Sequence, residues 1–105
     1  MAITEIKIIS KVIEDVVTTQ YIVDASMVTI TKADARNVGA TNATFTISLV
    51  NGTGGEQSFE RNIRAGESVS IGAIVGHNLS NGDSIKTDSS AGATIQLRVT
   101  GRKIQ

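Results

Sequence analysis

The chain has 105 residues with ten basic and ten acidic side chains, and it contains no cysteine, proline or tryptophan. The cancelling charges remove the field that draws nucleic acid or an anionic membrane, and the missing thiols remove disulfides, thiolate metal sites and cysteine nucleophiles. Its aromatic rings are Tyr21, Phe45 and Phe59, so base-stacking or sugar-stacking platforms have little to be built from.

A chain of this length predicts one domain, residues 1–105, with a core that needs no staples. Val, Ile and Thr together make 36 of the 105 residues, a β-branched load that suits pleated strands and is mediocre in helices. The expected fold is all-β. No apolar run approaches the ~20 residues of a membrane-spanning helix. MAITEIKIISK shows no basic stretch followed by an apolar core and cleavage site, so synthesis in the cytosol is expected.

Residues 2–23 mix two periods: Ile9, Val12, Ile13 and Val16 fit helical spacing, while Ile6 and Ile8 fit a strand. The adjacent β-branched pairs Val12–Ile13 and Val16–Val17 favour extension, predicting strand, turn over residues 10–15, strand. Ile3, Ile6, Ile8, Ile9, Val12 and Ile13 are more apolar side chains than a lone edge strand can bury. Residues 1–18 are therefore expected to form an N-terminal arm or edge strand, residues 2–13 being completed by a neighbouring subunit or by the surface the protein binds.

TQYIV (19–23) predicts a strand and DASM a polar break. In MVTITKADARNV the phase slips after Val28 and Ile30, because Ala33 and Ala35 take the odd positions and Lys32, Asp34 and Arg36 the even ones. A bulge or an exposed charged ladder is expected there. NVGATN (37–42) reads as a loop. ATFTISLV puts Phe45, Ile47 and Leu49 inward against Thr44, Thr46 and Ser48, and NGTGGEQ (51–57) is a hairpin tip. FERNIR (59–64), with Phe59, Arg61 and Ile63 on one side, predicts an edge strand.

ESVSIGAI (67–74) alternates Val69, Ile71 and Ala73 against Ser68, Ser70 and Gly72, predicting a further strand. Asn81-Gly82 marks a turn, SIKT (84–87) a short strand and SSAG another turn. In ATIQLRVTGR, Ala93, Ile95, Leu97, Val99 and Gly101 alternate without exception against Thr94, Gln96, Arg98, Thr100 and Arg102, predicting a half-buried strand in an antiparallel sheet wet on one side. About eight short strands with turns every 8 to 12 residues predict a single antiparallel two-sheet β-sandwich, Ig-like or jelly-roll in its connections.

The inventory for chemistry is thin. His77 stands alone in a glycine-flanked turn without a carboxylate orienter at any telling spacing. Asp83 and Asp88 border the one Asp/Asn-rich loop, which lacks the alternating carboxylates and distal Glu of a calcium loop. Glu14–Asp15 reads as a solvated turn. Gly52, Gly54 and Gly55 are followed by no Lys-Ser/Thr and no helix start, so they make no phosphate cradle. No catalytic residue, cofactor or metal ligand is expected. The basic residues Arg61, Arg64, Arg98, Arg102 and Lys103 gather, three of them on the outward face of the last strand or next to it. They read as a solvated sheet face or, for Arg61, Arg64, Arg98 and Arg102, as the second candidate contact surface, since the guanidinium fork suits carboxylate-rich partners.

The order of these pieces resembles a group of small virion proteins of tailed bacteriophages. Their layout is a Tyr-containing strand, an N-x-G-x-x-x-A-T-hydrophobic pair of strands, an A-G-E turn, an L-x-x-G-D-x-I turn and strand, and a last alternating strand ending near V-x-G. The residues that match are Tyr21, Asn37, Gly39, residues 65–67, Leu79, Gly82, Asp83, Ile85, Val99 and Gly101, over about four fifths of the chain from Tyr21 onward. DASM stands where the group has a Pro-Ala-Gly turn. The resemblance implies a non-enzymatic β-sandwich that decorates or cements a capsid, or joins tails and fibres. It implies the major capsid protein or other virion proteins as partners and a location in the virion after synthesis in the host bacterial cytoplasm. The apolar surplus of residues 2–13 adds the expectation of a homo-oligomer at a symmetry axis, with a trimer first. The alternative from another class is a tail, fibre or baseplate adhesion module.

Overall fold

The computed structural model describes residues 3–90 and 94–105; Met1, Ala2 and residues 91–93, on which the end of the expected SSAG turn and the start of the last predicted strand at Ala93 fall, lie outside them. The described residues hold nine strands and no helix: β1 (Ile3–Val12), β2 (Thr18–Ile22), β3 (Met27–Asn37), β4 (Ala43–Val50), β5 (Glu56–Ile63), β6 (Ser68–Ser70), β7 (Asn78–Ser80), β8 (Ser84–Ser89) and β9 (Ile95–Ile104). They form two antiparallel sheets packed face to face. Sheet A runs β1-β9-β3-β6, with β7 also on β3; sheet B runs β2-β8-β4-β5.

The strand order decides the connection. β6 and β7 pair with β3 in the same direction at its two ends, so they are one edge strand interrupted in the middle. Partners then nest from the outside in: β1 with β9, β2 with β8, β3 with β6/β7, β4 with β5. One long antiparallel hairpin folded over on itself gives this order, which is the jelly-roll connection and not the Ig-like one.

The clean alternations fold as read. Along β9 the odd positions from Ile95 to Gly101 are buried and Arg98 and Arg102 are exposed; along β4, Phe45, Ile47 and Leu49 are buried. Strand, turn, strand is also found over residues 3–22, with the turn at residues 13–17. The phase slip in β3 is a bulge at Thr31: Ile30 faces Gly101 and Lys32 faces Thr100. β1 bulges at the same level, with Lys7 opposite Thr100 and Ile9 opposite Val99, so that Ile8 and Ile9 are both buried.

The strand expected over residues 67–74 ends at Ser70. Ile71 and Ile74 are buried while Ala73 is exposed, a spacing of three that alternation cannot supply. The backbone instead takes successive tight turns, Ile74 N–H to Ile71 O (3.4 Å) and His77 N–H to Ile74 O (3.3 Å). Ile71 N–H to Ala33 O (2.8 Å) and Gly76 N–H to Ile30 O (2.7 Å) staple this excursion to β3 on either side of its bulge. One irregular row thus crosses the whole of sheet A, and Gly101 lies in it. A Cβ at Gly101 would stand 2.5 Å from the Thr29 carbonyl oxygen and 2.7 Å from Ile8 Cδ1, so only glycine lets β3 and the Ile8 side chain close over β9.

Between the sheets, one core joins Phe45, Ile47 and Leu49 of sheet B to Val28, Ile30, Ala33, Ala35, Leu97 and Val99 of sheet A, with Tyr21 and Phe59 partly buried at its margin. Asn37, fully buried at the end of β3, closes the loop over residues 38–42. Its Nδ2 donates to Thr41 O (2.7 Å) and Ile63 O (3.1 Å), and its Oδ1 accepts from Gly39 N–H (2.9 Å).

Candidate functional site

The structure separates the two candidate contact surfaces and redraws both. β1 is an edge strand paired with β9 along its own length, and Ile8, Ile9 and Ile13 belong to the core of its own sandwich. Ile6 is partly buried, which leaves Ile3 and Val12, 63% and 38% exposed at opposite ends of the strand. The apolar surplus that called for a neighbouring subunit is therefore mostly absorbed internally, because the bulge turns two consecutive isoleucines inward.

Every sheet edge carries a device that discourages strand addition. β1 has its bulge with exposed Lys7 and Lys11 beside it; β2 has five residues and a register shift between Thr19 and Tyr21. β5 carries exposed Glu56, Glu60 and Arg61, and the edge made by β6 and β7 is broken by residues 71–77. Bulges, charges and short strands are how edges are kept from pairing with other chains. The faces of the sheets, rather than their edges, remain open.

The four arginines do not share one face. Arg98 and Arg102 point outward from sheet A, whereas Arg61 sits in sheet B opposite Phe45, on the inward side of an edge strand, and Arg64 lies beyond the end of β5. Lys103 turns the other way from Arg102 and pairs with Asp24 at 3.3 Å.

Cross-strand register shows what Arg98 and Arg102 stand among. On the outer face of sheet A, Lys7 and Lys32 flank Thr100, Asp34 faces Arg98, Arg36 faces Gln96 and Glu5 faces Arg102. Five cations meet two anions there. Asp34 accepts from Ser70 Oγ (3.3 Å) and lies 3.8 Å from Lys32 Nζ, while the guanidiniums of Arg36, Arg98 and Arg102 have no ion pair among the described residues. Arg36, Arg98, Gln96 and Ser68, together with Asp34, line a shallow groove of about 360 Å3. Lys7, Lys32 and Arg36 were not part of the expected surface. The even positions of β3 signalled a charged ladder, but only strand pairing places that ladder beside β9.

On the outer face of sheet B, Glu60 and Asp88 flank Thr46, Glu56 faces Val50 and Lys86 faces Ser48. Three anions meet one cation, in a field of Thr19, Thr44, Thr46, Ser48, Ser58 and Ser84. A chain with no net charge is therefore polarised across its thickness, basic on one broad face and acidic on the other.

The polar loops at one end of the sandwich are occupied by their own structure. Asp83 Oδ1 accepts from Gly52 N–H (2.9 Å) and Oδ2 from Ser80 N–H (2.8 Å), and Asn51 Oδ1 gathers the N–H groups of Thr53 and Gly55 within the β4–β5 turn. His77 meets Phe59 edge-on at 5.8 Å, and among the described residues no carboxylate hydrogen-bonds its ring. His77, Asn78, Gln57 and Asp83 border a second groove of about 250 Å3. Among the described residues, no group of three or more His, Asp or Glu is placed to hold a metal ion. No protein-family model matches the chain, and no curated protein matches it.

Proposed function

We propose that this chain is a structural component of a tailed-phage virion, a capsid decoration or cement protein that binds the capsid surface and stabilises the head. The observation that carries the reading is the nested four-pair jelly roll, an architecture that recurs in viral capsid domains. Its organised features lie on broad sheet faces that suit contact, and the turn motifs shared with small phage virion proteins support the same role. The partner is the major capsid protein or another virion protein. Mass spectrometry of purified particles tests it: the chain is expected in both full virions and tailless heads, and its absence from both overturns the proposal.

A second reading is favoured by the groove beside His77 and Asn78. Asn78 Oδ1 accepts from Thr29 Oγ1 (2.6 Å), which fixes the amide so that its Nδ2 is free to donate at the rim. A tail-fibre or baseplate adhesion module would bind glycans there. Glycan-array binding by the purified chain that is abolished by Asn78→Ala supports that reading; an array without binding removes it.

A further inference from the structure

The opposite charge of the two broad faces carries a consequence for how copies of this chain meet. Arg98 and Arg102 are four residues apart on β9, with both side chains outward, and Glu56 and Glu60 are four residues apart on β5, with both side chains outward. At about 3.4 Å per strand residue, each pair spans about 14 Å. The basic face therefore presents two unpaired guanidiniums at the spacing at which the acidic face presents two exposed carboxylates. A guanidinium receives a carboxylate through two parallel hydrogen bonds, and the groove there is lined by two guanidiniums, Arg36 and Arg98, against the one carboxylate of Asp34.

We infer that the outer face of sheet A binds the outer face of sheet B of a second copy, Arg98 and Arg102 against Glu56 and Glu60. The contact is heterologous, since each copy uses a different surface, and it leaves one free face of each sign at the ends. Such a contact propagates into stacks or closes into a ring, and it does not stop at a two-fold dimer. The edge devices agree with this arrangement, because they suppress sideways strand addition and leave face-to-face stacking open. The contact is charge-led, so it strengthens as salt is removed.

The purified full chain is examined by sedimentation velocity at about 0.01 M and about 1 M salt, where charges are screened over about 30 Å and 3 Å. At low salt the average mass is expected to exceed the 11.0 kDa of one chain and to rise with concentration; at high salt it returns to one chain. The double reversal Arg98→Glu with Arg102→Glu makes both faces acidic, and Glu56→Arg with Glu60→Arg makes both basic. Each variant alone is expected to stay monomeric at low salt, and a one-to-one mixture is expected to recover association. Far-UV circular dichroism checks that both fold. Should either not fold, the neutral versions Arg98→Gln with Arg102→Gln and Glu56→Gln with Glu60→Gln are each expected to weaken association by roughly tenfold.

A wild-type chain that is monomeric at low salt overturns the inference, as does association indifferent to salt or a mixture that fails to associate. If the wild type is monomeric and the Arg98/Arg102 reversal abolishes attachment to particles, the basic face takes an acidic protein other than its own copy, which also overturns it. Self-association is read without particles, so its outcome is separate from that of the virion assignment.

Discussion

The two sheets solve the same packing problem differently. In sheet B, β4 meets β5 over eight consecutive residue pairs and β8 over six without a slip. Its inner face is built from the large side chains Phe45, Ile47 and Leu49. In sheet A, β9 has bulged partners on both sides, and the inner face mixes large side chains, Ile30, Leu97 and Val99, with the small residues Ala33, Ala35 and Gly101. Both sheets supply core volume, and the bulges on either side of β9 add curvature to sheet A, since each bulge increases local twist and lets the sheet bend over the other's side chains. The difference locates the sensitive position of the fold: sheet A depends on a missing side chain where sheet B depends on side chains that are present.

Gly101→Ala tests that contrast with the largest expected effect. The added methyl meets a backbone oxygen at 2.5 Å, which cannot rotate away, and it stands 2.7 Å from Ile8 Cδ1, which must shift. A loss of about 3 kcal/mol is expected from urea unfolding midpoints, at the upper end of ordinary overpacking. Thr46→Ala, on the open outer face of sheet B, should stay within about 0.5 kcal/mol. If the two substitutions cost the same, the pinch at Gly101 is not what shapes sheet A.

How much of this could be read from the residues follows from range. The alternations of β9 and β4 are local, and they show in the sequence as they stand in the fold. So does the bulge in β3, because the phase change from Ile30 to Ala33 lies within a few residues. Its companion in β1 was not legible, since Ile8 and Ile9 both turn inward to suit Gly101, nearly the whole chain away. The early end of β6 is similar: Val69, Ile71 and Ala73 look like one more alternation until β3 bulges opposite them and the backbone has to turn. The charged faces were legible as polar positions of single strands, but their grouping into one basic and one acidic surface depends on the nested pairing. Sequence reading could narrow that pairing only to Ig-like or jelly-roll.

Asn37→Ala carries the comparison to the junction between the sheets, with a smaller effect. Asn37 ends β3 in sheet A, yet its amide donates to Ile63 O at the end of β5 in sheet B, and its Oδ1 holds the Gly39 N–H. Removing it leaves polar backbone groups without partners where water enters only in part. A cost of about 2 kcal/mol is expected in the same unfolding assay. Hydrogen exchange should show faster exchange of the Gly39 amide, while the β4 amides remain protected until global unfolding. Equal acceleration in both places would mean that Asn37 supports the core as a whole and not the junction.

The smallest expected effect concerns the turn that carries the chain from sheet A to sheet B. Glu14 receives Lys11 Nζ at 2.9 Å and Gln20 Nε2 at 3.2 Å, and Gln20 passes the contact on to Thr87 of β8 at 2.9 Å. The Lys11 contact first, and the Gln20 hydrogen bond second, hold the Glu14 carboxyl below its ordinary value of 4.5. A carboxyl whose value is lowered on folding stabilises the folded chain above its unfolded value, and that contribution is lost as pH falls through the folded value. Glu14→Gln keeps an acceptor for Gln20 and removes the charge that Lys11 recognises. Wild type should therefore be slightly more stable than Glu14→Gln at neutral pH, with the gap closing as the pH is taken down to about 2. Because the pair is exposed, the gap should also shrink with added salt. A gap that persists in acid would show that the charge of Glu14 is not what separates the two chains, since glutamine has the shape of a protonated glutamate.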